Sequence, residues 1–240
     1  GGELHVHGKE ASFDIEEWHE LVAQNKGGQL NVTVCVEIDG KWRQYKDFPI
    51  YVSNHPLDEW GLTYRRIAPG YEVYSSMGLY QRDLSNFDEF AIIENTHVPG
   101  MCVNCHTAQQ TDPSRFVFHV RGNHGATMFQ IDGKREWLKA KNDLLGGSMV
   151  YPYWHPTGKY CAFSTNQTRQ GFHVGIPAPD SLQTAHNRQY PSANNRIEVF
   201  DLPSDVFVYN PATHEILTDS LLQTKDWSEN SPVFSPDGKT

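Results

Sequence analysis

The chain has 240 residues, with 20 Lys+Arg against 29 Asp+Glu and a formal net charge of −9. That length suffices for one large or two modest domains with a real core, and 38% AVILMFWYC with 19 Gly is an ordinary globular composition. The acidic balance argues against nucleic acid or anionic lipid as partner, and no apolar run reaches the roughly 18 residues of a membrane span.

Residues 12–24 predict an amphipathic helix. Asp14-Ile15-Glu16-Glu17 has the capping-box form, Ile15, Trp18, Leu21 and Val22 share one face, and Gly27-Gly28 ends it. Residues 30–38 alternate apolar and polar with β-branched enrichment, the pattern of a half-buried strand. Asp39-Gly40 is a strong hairpin signal, and the return strand to Val52 carries Trp42, Tyr45, Phe48 and Ile50. Two aromatic-rich stretches, 62–67 and 71–82, flank Pro69-Gly70 and predict further strands. Residues 1–95 are thus expected to form a mainly β domain with one helix.

The segment 96–113 holds Cys102-Val103-Asn104-Cys105-His106, the C-x-x-C-H of a c-type haem attachment. Two thiols at this spacing form thioethers with the haem vinyl groups, and the adjacent imidazole reaches the iron. Turn-like flanks, Glu94 to Gly100 and Thr107 to Pro113, place the motif on a loop or short helix. Two readings compete: a zinc site, with His119 and His124 as H-x₄-H, and a redox dithiol. Haem c leads, with Cys102 and Cys105 as attachment points and His106 as proximal ligand. Cys35 and Cys161 lie in strand-like runs as small hydrophobes, with a disulfide between them left open.

Short strands follow at 116–121, 127–131 and 135–138. Then Pro152 to Lys159 and Pro232 to Lys239 share P-x-[WF]-x-P-x-G-K at a period of 80. The excess over one blade is assigned to a Pro-, Asn-, Gln- and Ser-rich insertion at 167–195, followed by strands at 196–200 and 205–209 and an outer strand at 216–217. His173, in Gly171-Phe172-His173, stands in this insertion without a structural reason, so it is the first candidate for distal iron ligand. His119 is the alternative and Met128 the third. His106 and His173 are then the expected metal ligands.

Extended to Ala162-Phe163-Ser164, the motif resembles the TolB-type β-propeller repeat. At the first copy His155 and Thr157 stand where that repeat more often has Ser and Asp; the second copy has Ser235 and Asp237. The resemblance spans roughly 114–240, is similar to bacterial envelope proteins that join such a propeller to a haem-c motif, and implies mainly binding or scaffolding. The expected fold is mainly β: the N-terminal β domain with one helix, followed by part of a TolB-type propeller. A propeller needs at least four blades, and the chain opens at Gly1-Gly2 and stops within a motif, so it is expected to be a portion of a longer protein.

The expected function is single-electron transfer or redox sensing by a covalent haem protein, periplasmic or at the cell surface, with redox or structural partners in the envelope. The alternative is a non-enzymatic binding or scaffold module in an envelope complex. A third reading, an open haem site with peroxidase-like chemistry, also starts from the motif. No G-x-S-x-G, H-E-x-x-H, P-loop or G-x-G-x-x-G occurs.

Overall fold

The computed structural model describes residues 2–8, 10–55, 61–67, 77–97, 101–122, 124–139, 149–166, 168–173 and 196–240. The fold is mainly β with one N-terminal helix. The chain divides into a ribbon unit, Gly1–Thr63 with Gln81–Phe90, and a stack unit, Tyr64–Tyr80 with Ala91–Thr240.

In the ribbon unit, helix α1 (Ile15–Gln24) starts where the Asp14 carboxylate accepts from the Glu16 and Glu17 amides at 2.9 and 3.2 Å. Trp18 stacks on Phe13 at 5.4 Å and reaches Phe87 at 6.1 Å. Strands β1 (Gln29–Val32), β2 (Cys35–Ile38), β3 (Lys41–Gln44) and β4 (Phe48–Tyr51) then make one long two-stranded ribbon. β1 pairs antiparallel with β4 (Val32 opposite Phe48), and β2 with β3 (Cys35 opposite Gln44). Between them the Tyr45 amide donates to the Val34 carbonyl at 2.8 Å and the Thr33 hydroxyl to Asp47 at 2.9 Å. One residue, Thr33, therefore faces two, Lys46 and Asp47, and the return strand carries a bulge there. Asp39 (φ 52°) and Gly40 (φ 71°) close the tip in the double left-handed turn expected of Asp-Gly. The half-buried strand read at 30–38 is corrected here: both faces of β2 and β3 are exposed.

β5 (Gly61–Arg66), β6 (Gly78–Asp83) and β7 (Phe90–Glu94) form a three-stranded sheet in that order. Part of the strand expected over 71–82 lies outside the described residues.

The stack unit contains two four-stranded antiparallel meanders. The first runs β8 (Met101–Gln109), β9 (Asp112–Gly122), β10 (Ala126–Ile131) and β11 (Lys134–Leu138), in the order β11-β10-β9-β8. Strand β8 replaces the expected loop or short helix, because Met101, Val103 and Cys105 alternate into the core along it. Pro113 opens β9 at its second residue instead of stopping the chain, a place where proline removes no central ladder bond.

The second meander begins with β12 (Val150–Trp154) and β13 (Cys161–Ser164). A separate hairpin follows, β14 (Thr168–His173) paired with β15 (Arg196–Asp201). β16 (Val206–Asn210) and β17 (Glu215–Leu217) complete the order β12-β13-β16-β17. Residues 196–200 thus pair with the start of the insertion, not with the sheet; position 167 and positions 174–195 lie outside the described residues.

Two apolar layers hold the stack. Val103, Phe116, Phe118, Val120 and Met128 on one face of the first meander meet Leu79, with Ile92 and Ile93 against them. Val117 and Phe129 on its other face meet Trp154, Cys161, Phe163, Phe207 and Tyr209 of the second meander. Phe129 is the hub, its ring 5.8, 5.9 and 5.4 Å from those of Trp154, Phe163 and Tyr209. The two meanders are stacked sheets, and no closed propeller is formed among the described residues, so the TolB-type reading is not supported.

Candidate functional site

The haem-c reading fails on the placement of its own residues. Two positions three apart lie roughly 10 Å apart along a strand at about 3.3 Å per residue, whereas i and i+3 are neighbours on a helix. Cys102 and Cys105 sit in β8 inside a hydrogen-bonded sheet, with Cys105 buried. The Cys102 sulfur accepts from the Arg65 guanidinium at 3.2 Å, and that of Cys105 lies 3.9 Å from Arg121 Nη2. His106 places its ring 6.0 Å from Phe116. No group of three or more His, Cys, Asp or Glu side chains able to hold a metal ion occurs among the described residues. Haem c, the expected cofactor, and the electron-transfer and metal-binding roles built on it are therefore withdrawn. The envelope location expected from haem attachment loses its support with them.

The two candidate distal ligands lie in β9 and β14. His119 is 4% exposed in β9, opposite Thr127 of β10, and its Nδ1 lies 2.9 Å from the Thr127 hydroxyl. Burial, with Arg121 nearby, pushes its pKa down to about 3, so the ring is neutral. Met128, the third candidate, is a buried core residue beside Phe118. The backbone of His173 pairs with Arg196 in the β14–β15 hairpin, and its side chain lies outside the described residues. Cys35 and Cys161 are both free thiols, the first exposed and the second buried; burial raises the Cys161 pKa well above the usual thiol range.

Two other arrangements are built with more care. The first is at the sheet edges. β8 and β12 are each one of the two edge strands of their meander, and each shifts register, β8 between Asn104 and Thr107 and β12 between Val150 and Tyr153. Each break holds a non-glycine residue with left-handed backbone, Cys105 (φ 54°) and Tyr151 (φ 50°). Such conformations cost of order 1–3 kcal/mol and persist only where the surroundings impose them. Arg121 spans both, with Nη2 near the Cys105 sulfur and its guanidinium 5.9 Å from the centre of the Tyr151 ring.

The second arrangement is a ladder of turns. In the 152–159 motif the Gly158 amide donates to the His155 carbonyl at 2.8 Å; in the 232–239 motif Gly238 does the same to Ser235, also at 2.8 Å. Both glycines have positive φ, +70° and +68°. Both carbonyls are held by the hairpin before them: Arg115 Nη2 donates to Gly158 O at 2.8 Å, and His155 Nε2 lies 3.0 Å from Gly238 O. Gln109 adds a bond to the Pro156 carbonyl at 2.9 Å, and the His155 ring meets Phe234 edge-on at 4.9 Å. A Cβ at Gly158 would lie 2.8 Å from Gln109 Oε1, and one at Gly238 would lie 2.5 Å from His155 Nε2. Glycine is required twice at each position, by backbone and by the approach of the preceding turn. The turn of the 232–239 motif is closed by Ser235, whose hydroxyl donates to Asp237 at 2.7 Å and holds that carboxyl below its usual pKa.

The period of 80 could have pointed to these turns, since it repeats the glycine. Nothing in the residues of β8 and β12 marks the bulges. No family model, curated protein or solved structure matches the chain. Among the described residues no helix is long and apolar enough to cross a membrane.

Proposed function

We propose that the chain is a non-enzymatic binding or scaffold module. The observation that carries this reading is the ladder of turns: two sequence-equivalent glycine carbonyls, Gly158 and Gly238, are each held by a polar side chain of the preceding hairpin. Such a contact fixes one layer on the next and performs no chemistry of its own. The meanders are then successive layers of a rigid body, with Phe129 and its neighbours as the apolar filling between them. A rigid body of this kind suits the display of a recognition surface, as loops and edges on repeat scaffolds do. The ribbon unit supplies exposed aromatic side chains suited to recognition, among them Tyr45 at 55% and Phe48 at 46% exposure.

The test is cross-linking and size-exclusion of the tagged full chain in extracts of the cells that make it. The reading predicts a complex larger than the 27.3 kDa chain, with recovery unchanged by Cys102→Ala plus Cys105→Ala. A chain that runs alone, or a complex lost with the two cysteines, contradicts it.

A further inference from the structure

Strand alternation sorts the ribbon into two unlike faces. Leu30, Val32, Val34, Val36 and Ile38 lie on one side of the outgoing strand. Across from them on the same side come Ile50, Phe48, Tyr45, Arg43 and Lys41. That face is apolar with two cations at its tip end and has no carboxylate. The opposite face holds Gln29, Asn31, Thr33, Cys35 and Glu37 against Tyr51, Pro49, Asp47, Gln44 and Trp42. It carries both acids of the paired strands, Glu37 and Asp47, with the exposed rings of Trp42 and Tyr51 set among polar side chains. The apolar face is uncovered along its outer half: Val34, Val36, Ile38 and Tyr45 are 38, 36, 39 and 55% exposed, and Phe48 and Ile50 are 46 and 39% exposed. A continuous exposed apolar strip of this kind marks an interaction surface.

Charge decides what covers it. A second copy packed face to face would bring Lys41 and Arg43 of both chains together without a carboxylate, and like charges at an interface are strongly disfavoured. An anionic membrane would meet Asp39 at the tip and a chain of net charge −9. A protein strip of apolar side chains bordered by Asp or Glu satisfies both parts of the face. We propose that the apolar, cationic face of the β1–β4 ribbon docks a partner protein through such an acidic-bordered apolar strand or strip. This rests on the binding-module reading and names the class of partner.

The test uses the full chain and two fluorescent synthetic peptides of equal length, alternating Val-Asp and alternating Val-Lys, followed by anisotropy. The chain is expected to bind the Val-Asp peptide at least about tenfold more tightly than the Val-Lys peptide. Lys41→Glu with Arg43→Glu should reverse that preference, and Asn31→Glu on the opposite face should leave it unchanged. Equal binding of both peptides, no binding, or an equal loss in Asn31→Glu overturns the proposal. Binding to phosphatidylglycerol vesicles without peptide preference would assign the face to a membrane, and a dimer dispersed by Val36→Asp would assign it to a second copy; either overturns it. If the cellular complex forms but is indifferent to Lys41→Glu with Arg43→Glu, this docking face is wrong while the binding-module reading stands.

Discussion

Ile38 in the ribbon and Phe163 in the stack occupy the same kind of position, the apolar side of a short antiparallel strand. Ile38 is 39% exposed and Phe163 is fully buried. Among the described residues the ribbon unit buries no apolar side chain, while the first meander of the stack is covered on both faces. Alternation fixes which face of a strand is apolar; whether that face is covered depends on a second layer. The stack has its layers within the chain, and the ribbon's exposed face is left for another protein to cover.

The largest effect expected from this contrast lies in paired truncations. Phe163→Ala should cost about 3–5 kcal/mol, the range for a large side chain removed from a packed core, while Phe48→Ala, already 46% exposed, should cost under about 1 kcal/mol. Urea midpoints of the two variants measure the difference, and equal shifts would mean that the ribbon is packed like the stack.

Next comes acid sensitivity, which belongs to the stack. The His119 pKa is pushed down to about 3 in the folded chain, so the unfolded chain binds a proton from near pH 6.5 downward and the folded one does not. Stability therefore rises with pH between about 3 and 6.5, by at most about 5 kcal/mol. His119→Gln should flatten that part of the stability-pH profile, followed by urea unfolding at stepped pH. A profile identical to wild type would show that the ring titrates as freely folded as unfolded.

Smaller still is the contrast between turns. Gly158 and Gly40 share a positive φ of +70° and +71°, but only Gly158 has atoms within 4 Å of a Cβ position. Gly40→Ala should lose about 1 kcal/mol for the left-handed backbone alone, and Gly158→Ala about 1 kcal/mol more, since Gln109 and Arg115 must move. Equal thermal shifts would remove the turn ladder as a stabilising contact. The smallest change is expected at the ribbon face itself, where Val36→Asp should alter stability by no more than about 0.5 kcal/mol.

The sequence was most legible where local chemistry decides structure. Asp14 capped the helix, Asp39-Gly40 turned the hairpin, and Pro-x-Gly-Lys turned the β12–β13 hairpin and made a matching turn at 236–239, each through its own backbone preference. It misled where a short string has one meaning on a loop and another in a strand. Cys102 to His106 spell a haem motif, but Met101, Val103 and Cys105 alternate into the core, and that alternation sets the backbone. Met101 and Val103 could have signalled the strand. The hairpin β14–β15, the bulges at Cys105 and Tyr151 and the bond from Arg115 to Gly158 depend on partners far along the chain, which no local pattern encodes.

Hydrogen exchange of the full chain, with and without the Val-Asp peptide, tests the central claim most directly. Without peptide, amides of β9, β10, β13 and β16 should exchange only through global unfolding, and those of β2 and β3 much faster. With peptide, protection should rise across residues 30–50 and stay unchanged in the stack. Slow exchange in β2 and β3 without peptide, or a gain confined to the stack, would contradict an open ribbon and a rigidly packed stack.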